Sequence, residues 1–393
     1  MKKYLLNEIG EILTGNTPSK KNEEYYNSSD IPFLKPNDLS VNEILSISDS
    51  TEYISFAGKK ASRIIPKGSV LVTCIGIIGK VGILDLDQAA FNQQINAIIP
   101  NDNIVNSKYL AYKLMYKRKE LEHMANAPVV PIINKTQFSN LEISLPSIQI
   151  QERIVEILDK AQSLINKRKA QITALSDLTQ SVFLEMFGDP ITNKKKFNYG
   201  KLGDLVNKIT DGTHHSPPMV NKGVPYVSAK HLGTGELDFY KNPAYVSIEE
   251  HRKIYQRCNP VKGDVLYIKD GATTGIAAVN HYDFEFSMLS SLALIKCENG
   301  KLNNNYLVYY LNNLRVKEKI LNNMSGGAIK RLTLKKINDI DIMLPPIELQ
   351  NEFSLKVEKI EEQQLLIKKS SLQLENNFNS LIQRAFKGEL FND

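Results

Sequence analysis

The sequence predicts an α+β protein in which two pseudo-symmetric mixed α/β heads are separated by two long helices forming an antiparallel coiled coil. The first observation behind this is a repeat. LPSIQIQERIVEIL at Leu145 returns as LPPIELQNEFSLKV at Leu344. IPFLKPNDLS at Ile31 answers VPYVSAKHLG at Val224, PKGSVLV at Pro66 answers VKGDVLY at Val261, and SKYLAYKLM at Ser107 answers NNYLVYYLN at Asn304. The order is kept at a spacing of roughly 195 residues, far longer than the period of stacked solenoid units, so half of the protein is duplicated. The second observation is the absence of Gly and Pro from 149–187 and from 348–387. The third is the richness of the remaining sequence in short β-branched runs bounded by Gly.

The elements follow in order. Residues 1–148 form the first head. Runs such as SVLVTCIGIIGKVGIL read as strands and tight turns, and SKYLAYKLMYKRKELEHM as short helix. Residues 149–190 form the first long helix, which starts after Pro146 and stops at Gly188. Its apolar stripe includes Ile154, Ile157, Leu164, Leu175 and Leu178. Residues 191–346 repeat the head. Residues 347–388 form the second long helix, with Phe353, Val357, Ile360, Ile367, Leu374 and Phe378 at coiled-coil spacing. A helix of this length spans about 55 Å at 1.5 Å per residue, more than a small globule covers, so the two helices are each other's available partners.

Composition sets bounds on function. The chain has 393 residues, 42% of them hydrophobic and 23% charged, the balance of an ordinary globular protein. No run of eighteen apolar residues occurs, and Asn7, Glu8 and Glu11 interrupt any leader-like core, so a cytoplasmic location is expected. Net charge is +6 and pI about 8.9, compatible with a polyanionic partner without establishing one. Cys74, Cys258 and Cys297 are scattered and give neither a disulfide framework nor metal-ligand spacing. His214 and His215, read as neighbours on a strand, point to opposite faces and make a poor chelate. No metal site is expected. No P-loop, nucleophile elbow or zinc-protease pair occurs, and NPAY at Asn242 lacks the second Pro of the amino-methyltransferase NPPY pattern. The sequence reads as a binder with no catalytic residues.

Two similar heads on a spacer suit two sites at a fixed distance. Major-groove faces of duplex DNA recur every ~34–36 Å. A two-headed protein scaffold fits the same geometry. Local chemistry nominates DNA contacts. LTGNTPSKK offers Thr14, Asn16, Thr17, Ser19 and Lys20, and its counterpart ITDGTHHSPP offers Thr213, His214 and His215. Such turns present backbone N–H groups and hydroxyls to phosphate, although the same residues also make ordinary turns. FLKPNDLS and YVSAKHLG contribute Lys35, Asn37, Ser228, Lys230 and His231, and the glycine loops TCIGIIGKVG and IKDGATTGIA contribute Lys80, Lys269, Thr273 and Thr274. FNQQIN supplies Asn92, Gln93 and Gln94, residue types that read base edges, with Ser290 and Ser291 in the matching place. Lys330 and Arg331 follow a glycine pair.

ITDGTHHSP, FLEMFGDP, the paired PKGSVL and VKGDVL, and the twin helix starts LPSIQIQ and LPPIELQ together resemble the DNA-specificity subunit of type I restriction–modification enzymes. The resemblance covers essentially the whole chain in the order head, helix, head, helix. Ser147 stands where the family often has Pro, and Ile150–Gln151 and Leu349–Gln350 where it often has Glu-Gln. The resemblance implies that each head is a target-recognition domain for one half of a bipartite, asymmetric DNA site. It implies that the helices set the gap and dock two methyltransferase subunits, with two restriction subunits as further partners. S-adenosylmethionine, ATP and Mg would reside on those partners, and none on this chain.

Overall fold

The computed structural model describes residues 1–125, 130–233, 236–297, 300–322 and 331–391. Chain contacts separate it into two units, Met1–Ala170 with Lys368–Asp393, and Gln171–Ile367. Each unit therefore holds one head and one end of each long helix.

In the first unit a five-stranded sheet runs in the order Gly10–Thr14, Ile95–Pro100, Val70–Thr73, Val81–Leu84, Leu45–Ile47. Its pairs are antiparallel except the last, which is parallel. A second sheet orders Tyr53–Ile54, Ile31–Leu34, Gln88–Phe91 and Ile64–Pro66. The second unit repeats the plan with different edge strands. One four-stranded sheet orders Lys208–Asp211, Leu292–Lys296, Val265–Ile268 and Ala277–Val279, and another orders Met219–Val220, Tyr245–Val246, Val224–Val227 and Ser287–Met288. Fully buried β-branched runs such as Val70–Thr73 and Val265–Ile268 form the central strands because both of their faces are covered. Each head closes on itself just before its helix. Lys2–Leu5 pairs with Glu142–Leu145, and Asn198–Lys201 with Asp341–Leu344.

The long helices run Ile148–Phe187 and Ile347–Lys387. In the first unit Ile154, Leu158 and Ile165, from the start of one helix, share a core with Phe378, Ile382, Ala385 and Phe386, from the end of the other. Head residues join them. Tyr109 meets Phe386 edge-on at 5.4 Å and Tyr112 meets Phe378 at 6.3 Å. In the second unit Phe183 and Phe187 meet Phe353 at 5.6 and 5.4 Å, and Tyr306 of the head packs on Phe183 and Phe187 at 5.8 and 4.8 Å. Each unit thus joins the start of one helix to the end of the other, which is antiparallel pairing.

The inner seam corrects the sequence stripe. On the second helix it follows Phe353, Val357, Ile360, Gln364, Ile367, Ser371, Leu374 and Phe378, in alternating steps of three and four, and these residues are buried or half-buried. On the first helix it follows Gln151, Ile154, Leu158, Ala161, Ile165, Ile172, Leu175 and Thr179. Leu164 and Leu178 are not in it; they are 50% and 46% exposed, while Ile165 and Thr179 beside them are inside. Ile157 is half-buried, with Leu158 inside. The first helix carries two apolar stripes one residue apart. Ile150, Ile157, Leu164 and Leu178 form the outer one, and sequence periodicity merged the two.

Helix ends are capped by lysines. Lys195 donates to Glu185 O and Met186 O at 2.7 and 2.8 Å. Lys113 Nζ reaches Phe386 O at 3.4 Å and lies over the Phe386 ring. Burial, with Lys117 nearby, brings the Lys113 amine down from 10.5 to about 8. The sign is then fixed. Between about pH 8 and 10.5 the unfolded chain holds a proton that the folded chain has released, so stability rises with pH across that window. Below it the charged amine destabilises the fold in full. Lys113→Met is expected to raise stability at pH 7 by about 1–3 kcal/mol, with the gain shrinking toward pH 10. Thermal melts at both pH values check this, and a gain independent of pH would contradict it.

Candidate nucleic-acid interface

In both heads the same three loops meet. In the first, Asn16 N donates to Phe91 O and Asn92 N to Leu34 O, each at 3.0 Å. In the second, Thr213 N donates to Met288 O at 2.8 Å, Leu289 N to Val227 O at 3.0 Å and Ser290 N to Thr213 O at 2.8 Å. The loop that follows Phe91, or Met288, is thereby pinned to the two others. Glycine makes this possible. A Cβ on Gly15 would fall under 3.0 Å from Phe91 O and Asn92 O, and one on Gly212 under 3.0 Å from Met288 O. The backbone N–H groups of Asn16 and Thr213, expected to suit phosphate, are spent on these contacts.

In the first head, Thr14 Oγ1 donates to Asn96 Oδ1 and Thr17 Oγ1 to Gln93 Oε1, both at 2.6 Å. Asn16 Nδ2 donates to Ala61 O at 2.7 Å, and its Oδ1 accepts from Arg63 N at 2.8 Å. Ser19 and Lys20 are exposed beyond this loop. Lys35 pairs with Glu52 beside the turn Pro36–Asp38, on which Asn37 is exposed. Lys80 Nζ donates to Pro36 O at 2.8 Å, so the glycine-loop lysine comes to the same turn. Asn92 is buried and bonded to Gln94, whereas Gln93 is exposed.

The second head carries more charge. Asp211, buried, takes Arg257 NH2 at 2.6 Å, His214 Nε2 at 3.2 Å and Lys269 Nζ at 3.6 Å. Asp270 takes Lys269 Nζ at 2.9 Å and Arg331 Nε at 3.0 Å. His215 Nδ1 lies 2.7 Å from Thr213 Oγ1 and its Nε2 3.4 Å from Glu250. The two histidines sit in a bend rather than a strand and go to different carboxylates. Among the described residues no His, Cys, Asp or Glu group could hold a metal. Burial pushes the Cys74 and Cys258 thiols up to about 12, away from nucleophilic use.

Several candidates hold the loops from inside instead of presenting a surface. His231 is 3% exposed, accepts from Ser228 N at Nδ1 (3.0 Å) and meets Asn242 O at Nε2 (2.8 Å), so both ring nitrogens are taken up inside the head. Ser228, Thr213, Asn92 and Lys269 are likewise buried, and Thr274 is buried with its hydroxyl on Gly271 O. Lys230, Thr273, His214, His215 and Arg331 are exposed. Lys330 lies outside the described residues. Sequence reasoning missed Arg63 and Arg257. Both follow from a shared Arg-x-x-Pro, at Arg63–Pro66 and Arg257–Pro260, obscured by one extra residue before the following Lys-Gly in the second head.

No helix among the described residues is long and apolar enough to cross a membrane. The family model for the type I restriction modification DNA specificity domain matches residues 1–174 and again 194–376, so the duplication seen in the loops is a duplication of that domain. The chain is 27% identical to the type I restriction enzyme MjaIX specificity subunit of Methanocaldococcus jannaschii, over 98% of this chain and 92% of that one. It is 34% identical to the HindI specificity subunit of Haemophilus influenzae over 43% of this chain and 38% of that one. The crystal structure of a type I restriction-modification S subunit from M. genitalium superposes with a TM-score of 0.57 at 15% identity, covering 98% of this chain and 96% of that one. Two matched domains, each running well into one long helix and together spanning most of the sequence, place this chain in the type I restriction–modification DNA-specificity family.

Proposed function

We propose that this chain recognises a bipartite, asymmetric duplex DNA sequence for a type I restriction–modification complex, each head reading one half-site. The carrying observation is the loop junction. Both heads build it with matching backbone bonds and the same glycine, yet the first surrounds it with Thr17, Asn16, Gln93 and Arg63, and the second with exposed His214, His215 and Arg257 braced by buried Asp211 and Lys269. A shared frame with different tips suits two different half-sites. The chain itself contributes recognition and no catalytic group. Methylation and cleavage belong to partner subunits that carry S-adenosylmethionine, ATP and Mg. Exposed leucines on the long helices support the docking of two methyltransferase subunits: Leu164 and Leu372 in the first unit, Leu178, Leu355, Leu365 and Leu366 in the second. The paired helices then set the gap between half-sites.

The test is a genome-wide map of N6-methyladenine in hosts carrying the methyltransferase subunit with and without this chain. The expected result is that one motif, two unlike half-sites with a constant gap, is lost without the chain. An unchanged map, or two identical half-sites, would contradict the reading, and tight partner binding with no DNA preference would favour a scaffold.

A further inference from the structure

Arg63 and Arg257 occupy equivalent places in the two heads. Arg63 NH1 donates to Thr14 O, at the end of the first strand of its head. Arg257 NH2 donates to the carboxylate of Asp211, which stands at the end of the equivalent strand. Both side chains are exposed. Both lie against the loop junction from which the candidate contacts project.

Their settings differ in a way that bears on what they read. Among the described residues no ion pair involves Arg63, and its anchor is a main-chain carbonyl. Arg257 is 55% exposed in its side chain, while the Asp211 bracing it is 4% exposed. Asp211 is itself held by His214 and Lys269. A buried carboxylate fixed on several sides anchors the guanidinium through NH2, with His214 Nε2 3.4 Å from the same nitrogen, while more than half of the side chain stays exposed. A planar fork anchored at one nitrogen keeps further N–H groups to meet the O6 and N7 acceptors of guanine, whereas a phosphate contact needs only a charge.

We infer that Arg257, oriented by Asp211, reads a guanine in the half-site of the second head, and that Arg63 makes the equivalent DNA contact in the first. This rests on the proposed DNA recognition. Lysine keeps the charge and loses the fork, so Arg257→Lys separates the two kinds of contact. Asp211→Asn keeps the shape of the positioning residue and loosens the brace.

The experiment is the methylation map of the full complex carrying Arg257→Lys, Asp211→Asn or Arg63→Lys, with co-purification of the methyltransferase subunit as the folding control. Arg257→Lys is expected to relax one guanine position of one half-site about ten-fold or more, with the other half-site and the gap unchanged. Asp211→Asn is expected to relax the same position less, and any change from Arg63→Lys is expected in the other half-site. A uniform loss of methylation with an unchanged motif would make Arg257 a phosphate contact and overturn the guanine reading. An unaltered motif at unaltered level would overturn it as well, as would both arginines affecting one half-site. If the wild-type complex has no bipartite motif, it is the DNA-recognition reading that fails.

Discussion

Gly212→Val is expected to cost the second unit about 3 kcal/mol or more of stability and to abolish recognition by that head. The first added carbon already falls under 3.0 Å from Met288 O and 2.7 Å from Leu289 C, both backbone atoms of a segment pinned by Thr213 N and Ser290 N. No flexible side chain can move aside, so the loop or the neighbouring segment must shift and the junction opens. Overpacking of this kind usually costs ~1–3 kcal/mol, and a backbone obstacle with two more methyl groups behind it belongs at the high end or beyond. For a unit of this size each kcal/mol lowers Tm by about 2–4 °C, so a drop of about 6 °C or more is expected. Gly233→Ala is the matched control, because its added Cβ meets nothing within 4 Å. Equal melting of Gly212→Val and Gly233→Ala would contradict the account. The same reasoning applies to Gly15, which ties the two heads to one construction.

The duplicated glycine was legible in LTGNT and DGTHH, but its reason was not. Sequence suggested a turn offering N–H groups to a ligand, and the structure spends those groups on neighbouring loops. That difference depends on long-range packing, which no local pattern encodes. The helices show a similar boundary. Their extents follow from the missing Gly and Pro, because those residues act locally. The inner stripe of the first helix does not, because Leu158 and Ile157, or Ile165 and Leu164, are equally apolar and only the partner decides which faces inward. Among the site candidates, His231, Ser228 and Lys269 have the chemistry of DNA contacts and the burial of supports. Arg63 and Arg257 were hidden by a one-residue insertion, although the repeat itself held the signal.

The twin helix starts carry a further consequence, through the glutamine that closes LPSIQIQ and LPPIELQ. Gln151 Nε2 donates to Ile104 O and Pro146 O, both at 3.0 Å, and its Oε1 accepts from Asn106 N at 2.9 Å. Gln350 repeats this with Pro345 O at 2.9 Å, Lys301 O at 3.5 Å and Asn303 N at 2.9 Å. Both side chains are fully buried. Each one ties a long helix to the loop that begins its head's Asn-capped helix, so helix and head move together. Only a primary amide offers two donors and an acceptor here. Gln151→Leu is expected to lower stability by about 2–3 kcal/mol, since one buried and two half-buried backbone groups lose their partner, at ~1–3 kcal/mol for a fully buried group. Gln151→Glu keeps the acceptor for Asn106 N but sets a carboxylate oxygen against Ile104 O and Pro146 O, so it is expected to be the worse of the two at neutral pH. Burial and the facing carbonyls favour the protonated form of the introduced acid, which regains one donor. Its stability should therefore recover as pH falls, while that of Gln151→Leu should not. Melts at pH 7 and pH 5 distinguish them. Parallel curves for the two variants would mean that Gln151 fills space rather than joining helix to head.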